Sequence, residues 1–172
     1  VYGDDVRLPG EIIGRLVRSD RHYAKVLSID MTDVESIPGV LATATGIDAP
    51  SAFGVLPVTK DEHAMALEKV RHIGDIVACV AAEDEETARL AAAAVRIEYQ
   101  DLEPIFDMRD GLKDSPDPIH DRGRYHIGES NVQKRVFQRF GRISDIKNSI
   151  ASYDNEWTFK GVNHGFTEPH AV

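Results

Sequence analysis

The first hundred residues alternate between short apolar blocks and polar breaks, a pattern of strands and short helices. Ile12 to Arg18 (IIGRLVR) and Ala24 to Ile29 (AKVLSI) are apolar-rich runs of strand length, separated by the polar break SDRH. In the second run Val26 and Leu27 fall on opposite faces, which predicts a strand covered on both sides. Thr32 is placed to cap a short helix through Ile37. Pro38-Gly39 then ends it, because proline bars continuation and glycine accepts the turn. Val40 to Thr45 (VLATAT) is the next predicted strand. From Gly46 to Lys69 the pattern is irregular, with two prolines and FGVLPV in its middle. A loop of this length tends to carry function.

Ile76 to Ala82 (IVACVAA) is apolar on both faces and reads as a central strand. Asp84 caps the helix that follows, with Glu85 and Glu86 set against the positive end of its dipole. Ala88, Ala91, Ala92 and Val95 share one side at helical spacing, and their small side chains let the helix approach a sheet closely. Val95 to Tyr99 (VRIEY) is a further strand. Beyond Asp107 the chain turns polar and is broken by Gly111, Pro116, Pro118, Gly123 and Gly128, as expected of an extended linker. Val132 to Phe140 and Asn155 to Val162 then read as two strands, with one or two helical turns between them. Trp157 and Phe159 share a face of the second.

The balance of 29 acidic to 20 basic side chains gives a net charge of −9, and the basic residues are scattered. Nucleic acid is excluded on that ground, since displacing counterions from phosphates needs a basic face. No apolar run reaches the ~18 residues needed to span a membrane. Cys79, the one cysteine, excludes an internal disulfide and any Cys-rich zinc or iron–sulfur site within the chain, and it fits a cytoplasmic setting. Within IVACVAA it reads as an inert packed thiol. The opening VYGDDVRLPG has neither a secretory leader pattern nor an initiator Met, so the chain is expected to begin inside a longer protein.

Among polar clusters, His164, Glu168 and His170 would share one face of an extended segment. Imidazole and carboxylate can bind zinc. However, Pro169 interrupts the run and no fourth ligand is evident, so structural hydrogen bonding is the expected role. His22, His63, His72, His120 and His126 sit in turns or polar stretches, where solvated side chains are the default. FGVLP has one glycine and does not open a helix, so it cannot cradle phosphate.

Several phrases match one family in order and spacing. They are YGDDVRLPGEIIGRLVRSDRHYAKVLSID, then IPGVLAT, then VRHIGDIVACVAAEDEETARLAAAAVRIEYQDLEPIFD. The pattern uses Asp5, Pro9-Gly10 and Arg18-Ser19; Pro38, Gly39 and Val40; Val70, Arg71, Gly74 and Asp75; and Glu98-Tyr99. The chain resembles the α/β hammerhead region at the amino-terminal end of the molybdopterin-binding large subunit of the xanthine dehydrogenase and aldehyde oxidase family. Its loop, at Phe53, Gly54, Val55, Leu56 and Pro57, resembles that of the 4-hydroxybenzoyl-CoA reductase branch. VNHGFTEPHAV resembles the start of the cofactor-binding domain, with His164 and Glu168 in a His-x-x-x-Glu pattern. The stretch from Gly123 to Ile150 follows the family only loosely, with Arg142 where an acid is expected.

The resemblance implies an α+β fold: a hammerhead domain over residues 1–107, a linker over 108–131, and the beginning of the molybdopterin-binding domain over 132–172. It implies no catalytic, cofactor-binding or metal-binding residue in this chain. The whole enzyme is expected to use molybdopterin with molybdenum, iron–sulfur clusters and FAD. Expected partners are the remainder of the large subunit, an iron–sulfur subunit and an FAD subunit, with self-association through the Trp157–Phe159 face when these are missing. Phe53 to Pro57 is the candidate for contact with substrate or a neighbouring subunit, and a packing plug between domains is the equal alternative. His164 and Glu168 are a candidate structural pair. Three functional readings stay open: part of a molybdenum reductase acting on an aromatic acyl-CoA, part of a xanthine, aldehyde or carbon monoxide dehydrogenase-type hydroxylase, and a stand-alone interaction module.

Overall fold

The computed structural model describes residues 2–54, 60–120, 130–142, 144, 147, 150–163 and 165. The chain divides into two units, Gly10–Arg135 and the pair of segments Val1–Pro9 with Val136–Val172. In the first unit, six strands form in chain order: β1 (Ile13–Arg18), β2 (Ala24–Asp30), β3 (Val40–Thr45), β4 (Lys69–Val70), β5 (Ile76–Ala82) and β6 (Arg96–Asp101). Helix α1 (Thr32–Glu35) precedes β3, and α2 (Glu85–Ala94) joins β5 to β6. Odd-numbered strands make one antiparallel sheet in the order β1-β5-β3, and even-numbered strands make another in the order β4-β2-β6. Each step along the chain therefore changes sheet. The strand–helix–strand stretch from Ile76 to Tyr99 is present, but its two strands belong to different sheets.

β5 is central and deeply buried, as its unbroken apolar run predicts. Val80 packs with Val34 and Ala91, so α1 and α2 cover one face of the β5 sheet. Val77 points the other way and joins Ala24, Ala66 and Val70, with Val26, Ile29, Ile97 and Tyr99 around them. Burying each such valine is worth about 1.5–3 kcal/mol. α2 can lie this close because alanines face the sheet: Ala88 and Ala91 are fully buried. Cys79 lies between Leu16 and Ala44 in register and is half-buried, less enclosed than a packed core thiol.

β2 is not covered on both sides. Leu27 sits at a register shift in the β2–β6 ladder and is 55% exposed, and Leu41 occupies the equivalent place in β3 at 50%. Each is the extra residue of an irregular ladder, so alternation no longer fixes where it points. Thr32 is the first helical residue of α1 rather than its cap: the Asp30 carboxylate accepts its N–H at 2.9 Å. The turn into β3 uses Gly39 at φ 88°, a conformation that favours glycine. Asp84 does cap α2, accepting from the backbone N–H and hydroxyl of Thr87 at 2.9 and 2.7 Å.

The second unit is different in kind. Neither stretch read as a strand, 132–140 or 155–162, is one in the structure, because its described residues enter no ladder. In the stretch expected to hold helical turns between them, residues 143, 145, 146, 148 and 149 lie outside the described residues. No described side chain of 2–9 or 136–163 is buried, and Phe137 (85%) and Trp157 (75%) are exposed. Apolar residues without a second layer make no core.

Val80→Ala is expected to lower unfolding free energy by about 2 kcal/mol, while Leu27→Ala changes it by less than about 0.5, measured by urea denaturation. Thr87 holds the Asp84 carboxyl below the ordinary carboxylate range. A depressed folded value adds stability that is complete above the unfolded value and lost as pH falls through the folded one. Asp84→Asn keeps an acceptor without titrating, so denaturation midpoints followed from about pH 5 to about pH 2 should fall less steeply in this variant.

Candidate functional site

Two short motifs meet where the chain crosses between sheets. After β4 the turn Arg71–Asp75 is closed by Asp75, whose carboxylate accepts the Arg71 N–H at 2.9 Å. Gly74, at φ 88°, donates to Ser19 O, and Ser19 donates back to Asp75 O, both at 2.8 Å. Arg18 adds a bond from Nη1 to Gly74 O at 2.8 Å. Arg18-Ser19 and Val70-Arg71-x-x-Gly74-Asp75 are thus two halves of one stitched crossing, with Val70 buried in the core beneath.

That stitching fixes the root of the Arg71 side chain. Its Nη2 donates to Asp61 at 3.0 Å and its Nε donates to Ile119 O at 2.9 Å. Asp61 is 5% exposed. Its two oxygens also lie 3.2 and 3.3 Å from His120 Nδ1, which donates when that nitrogen carries the proton. Asp61 stands on the long loop, whose base is closed by a two-way backbone bridge between Phe53 and Glu62. Ile119 and His120 stand on the polar stretch beyond β6. That stretch is strapped down: Tyr23 and Lys69 donate to Pro118 O at 2.7 and 2.6 Å, and Asn131 Oδ1 accepts the Ile119 N–H at 2.7 Å.

A cleft of about 370 Å³ lies between loop and strap. Phe53, Glu62 and His63 line it from the loop, Ile119 and His120 from the strap, and Arg71, His72 and Asp75 from the crossing. The volume is at the low end of the ~300–1,000 Å³ typical of small-molecule sites. His63 Nδ1 is buried without a hydrogen-bond partner among the described residues. Hence His63 and His120 are not simple solvated histidines. A buried charge must be paired, and Asp61 is paired with Arg71.

Of the residues singled out in the sequence, Phe53 and Gly54 lie at the loop base. Val55, Leu56, Pro57, His126, His164, Glu168 and His170 lie outside the described residues. Sequence reading missed Asp61 and took His120 for a solvated histidine, whereas it faces the Asp61 carboxylate. Their only signal was an acid and an imidazole in polar stretches, which is unremarkable until tertiary structure brings them together. Among the described residues no group of three His, Cys, Asp or Glu side chains could hold a metal ion. No helix among the described residues is long and apolar enough to cross a membrane.

Residues 1–103 match the model of the aldehyde oxidase and xanthine dehydrogenase a/b hammerhead domain. The chain belongs to that family. Its relatives include the xanthine dehydrogenase/oxidase of Felis catus, 38% identical over all of this chain and 12% of that protein. The nicotinate dehydrogenase large molybdopterin subunit of Eubacterium barkeri is 28% identical over 99% of this chain and 39% of its own length. Among solved structures, carbon monoxide dehydrogenase from Oligotropha carboxidovorans aligns at TM-score 0.58 and 31% identity, covering 68% of this chain and 15% of that one. Aldehyde oxidoreductase from Desulfovibrio gigas aligns at TM-score 0.63 and 25% identity, covering 70% and 15%. The chain therefore spans between about an eighth and two-fifths of the curated relatives named here. The hammerhead match includes the loop, the crossing and all six strands.

Removing Arg71 leaves a buried carboxylate short of its charge partner. Arg71→Met is expected to destabilise the fold by about 3 kcal/mol or more, and Arg71→Lys by less, read from chemical denaturation.

Proposed function

We propose that this hammerhead chain is a non-catalytic part of the large subunit of a molybdenum-dependent oxidoreductase of the 4-hydroxybenzoyl-CoA reductase type, which removes a ring hydroxyl reductively from an aromatic acyl-CoA. The observation that supports a role in shaping access is the cleft beside the Phe53–Glu62 bridge, walled by the loop, the crossing and the strap. The branch rests on the loop sequence Phe53, Gly54, Val55, Leu56 and Pro57. In this reading the loop walls the route of the substrate or meets a neighbouring subunit. Chemistry belongs to molybdopterin, iron–sulfur and FAD groups held elsewhere in a cytoplasmic complex, while protein of this kind supplies access and orientation. In this reading residues 1–107 are the hammerhead domain, 108–131 a linker, and 132–172 the beginning of the molybdopterin-binding domain.

A second reading, a hydroxylase of the xanthine, aldehyde or carbon monoxide dehydrogenase type, is favoured by the names of the relatives. The two separate by assay of the assembled enzyme that carries this chain. The first expects turnover of 4-hydroxybenzoyl-CoA under reducing conditions and none of xanthine, benzaldehyde or carbon monoxide under oxidising ones; the opposite result selects the second. Phe53→Ala should raise KM more than it lowers kcat if the loop lines the route. The purified 172-residue chain is expected to hold only trace molybdenum by metal analysis and to turn over nothing. Turnover by that chain alone would defeat both readings.

A further inference from the structure

Among the described residues, the two apolar clusters take nothing from 53–54, 60–62 or 117–120; the loop joins the core only further on, at Ala66. Polar bonds hold the described parts of both walls. The strap is tied to Tyr23, Lys69, Arg71 and Asn131. At Asp61 those ties reach the loop: one oxygen takes the guanidinium that also holds Ile119 O, and the carboxylate also faces His120 on the strap.

We infer that Asp61 is a positioning residue, a single buried carboxylate that couples the loop wall to the strap wall through Arg71 and His120 and so sets the width of the cleft. This deepens the function proposed above and depends on it only for what passes through the cleft. The residue type suits the task. A short carboxylate has acceptors in two directions and no hydrogen to offer, so it can take donors from both Arg71 and His120. A buried ion pair is a poor way to stabilise a fold compared with apolar packing, and its better use is to specify one arrangement. Asparagine has the same shape but carries no charge to balance the Arg71 guanidinium, and its NH2 group can face His120 Nδ1 only when that nitrogen holds no proton.

The test is amide hydrogen exchange on the full 172-residue chain, read at Phe53, Glu62 and Ile119, whose N–H groups are all hydrogen-bonded. Asp61→Asn is expected to speed exchange at all three together, by about tenfold or more, while amides of β5 keep their wild-type rates. His120→Gln retains a donor and should stay near wild type, whereas His120→Ala should loosen both walls. An equal rise across every element would mean a general stability role and overturn the inference. So would a rise confined to one wall, no change, or a His120→Gln variant as loose as His120→Ala. Should Asp61→Asn fail to fold, Arg71→Lys and the two His120 variants are judged by the same criterion. Coupled loosening alongside an unchanged KM in Phe53→Ala would remove the substrate route and leave the Asp61 joint standing.

Discussion

Burial of Val77 and Val80 on opposite faces of one strand is the constraint on which the hammerhead unit depends. Val80 anchors the cluster under α1 and α2, and Val77 anchors the cluster shared with the second sheet. Both are completely buried. A strand covered on both faces must be apolar throughout and must lie in the middle, and β5 meets both conditions between β1 and β3. Losing either valine would loosen one of the two layers that the other sheet or the helices supply.

The second constraint follows from the way the chain is dealt between sheets. Strands alternate strictly, so every connection must cross from one sheet to the other. Crossings cannot use the ladder to satisfy their backbone groups, and unsatisfied buried amides are costly. Ser19 and the Gly74-Asp75 turn solve this by bonding to each other. That explains in physical terms why the family pattern sets Arg18-Ser19 and Val70-Arg71-x-x-Gly74-Asp75 so far apart in sequence: they are one piece of structure.

The cleft arises beside this crossing, where regular packing ends and side-chain bonds take over. Hydrophobic layers set the platform, and the walls above it hang on Asp61, Arg71 and the strap. Such polar joints locate a segment sharply at little net gain in stability. Solved relatives several times longer than this chain share its fold over about two thirds of its length.

Local pattern was enough for the elements whose reasons are local. The apolar run of β5, the VLATAT strand, the Asp84 cap and the alanine face of α2 were all legible, because each depends on neighbours within a few residues. The ordered family phrases were legible for the same reason, and they named the fold. What periodicity could not reach were the register shifts that turn Leu27 and Leu41 outward, since a shift is a property of two strands. It also read strands into 132–140 and 155–162, where apolar side chains alternate but no ladder partner is present among the described residues. The joint of Asp61 with Arg71 and His120 joins positions 10 and 59 residues apart, and nothing local marks them as a set. Amino-acid order settles which segments can be strands or helices; only the packing of one segment on another decides which carboxylate is buried and what it must hold.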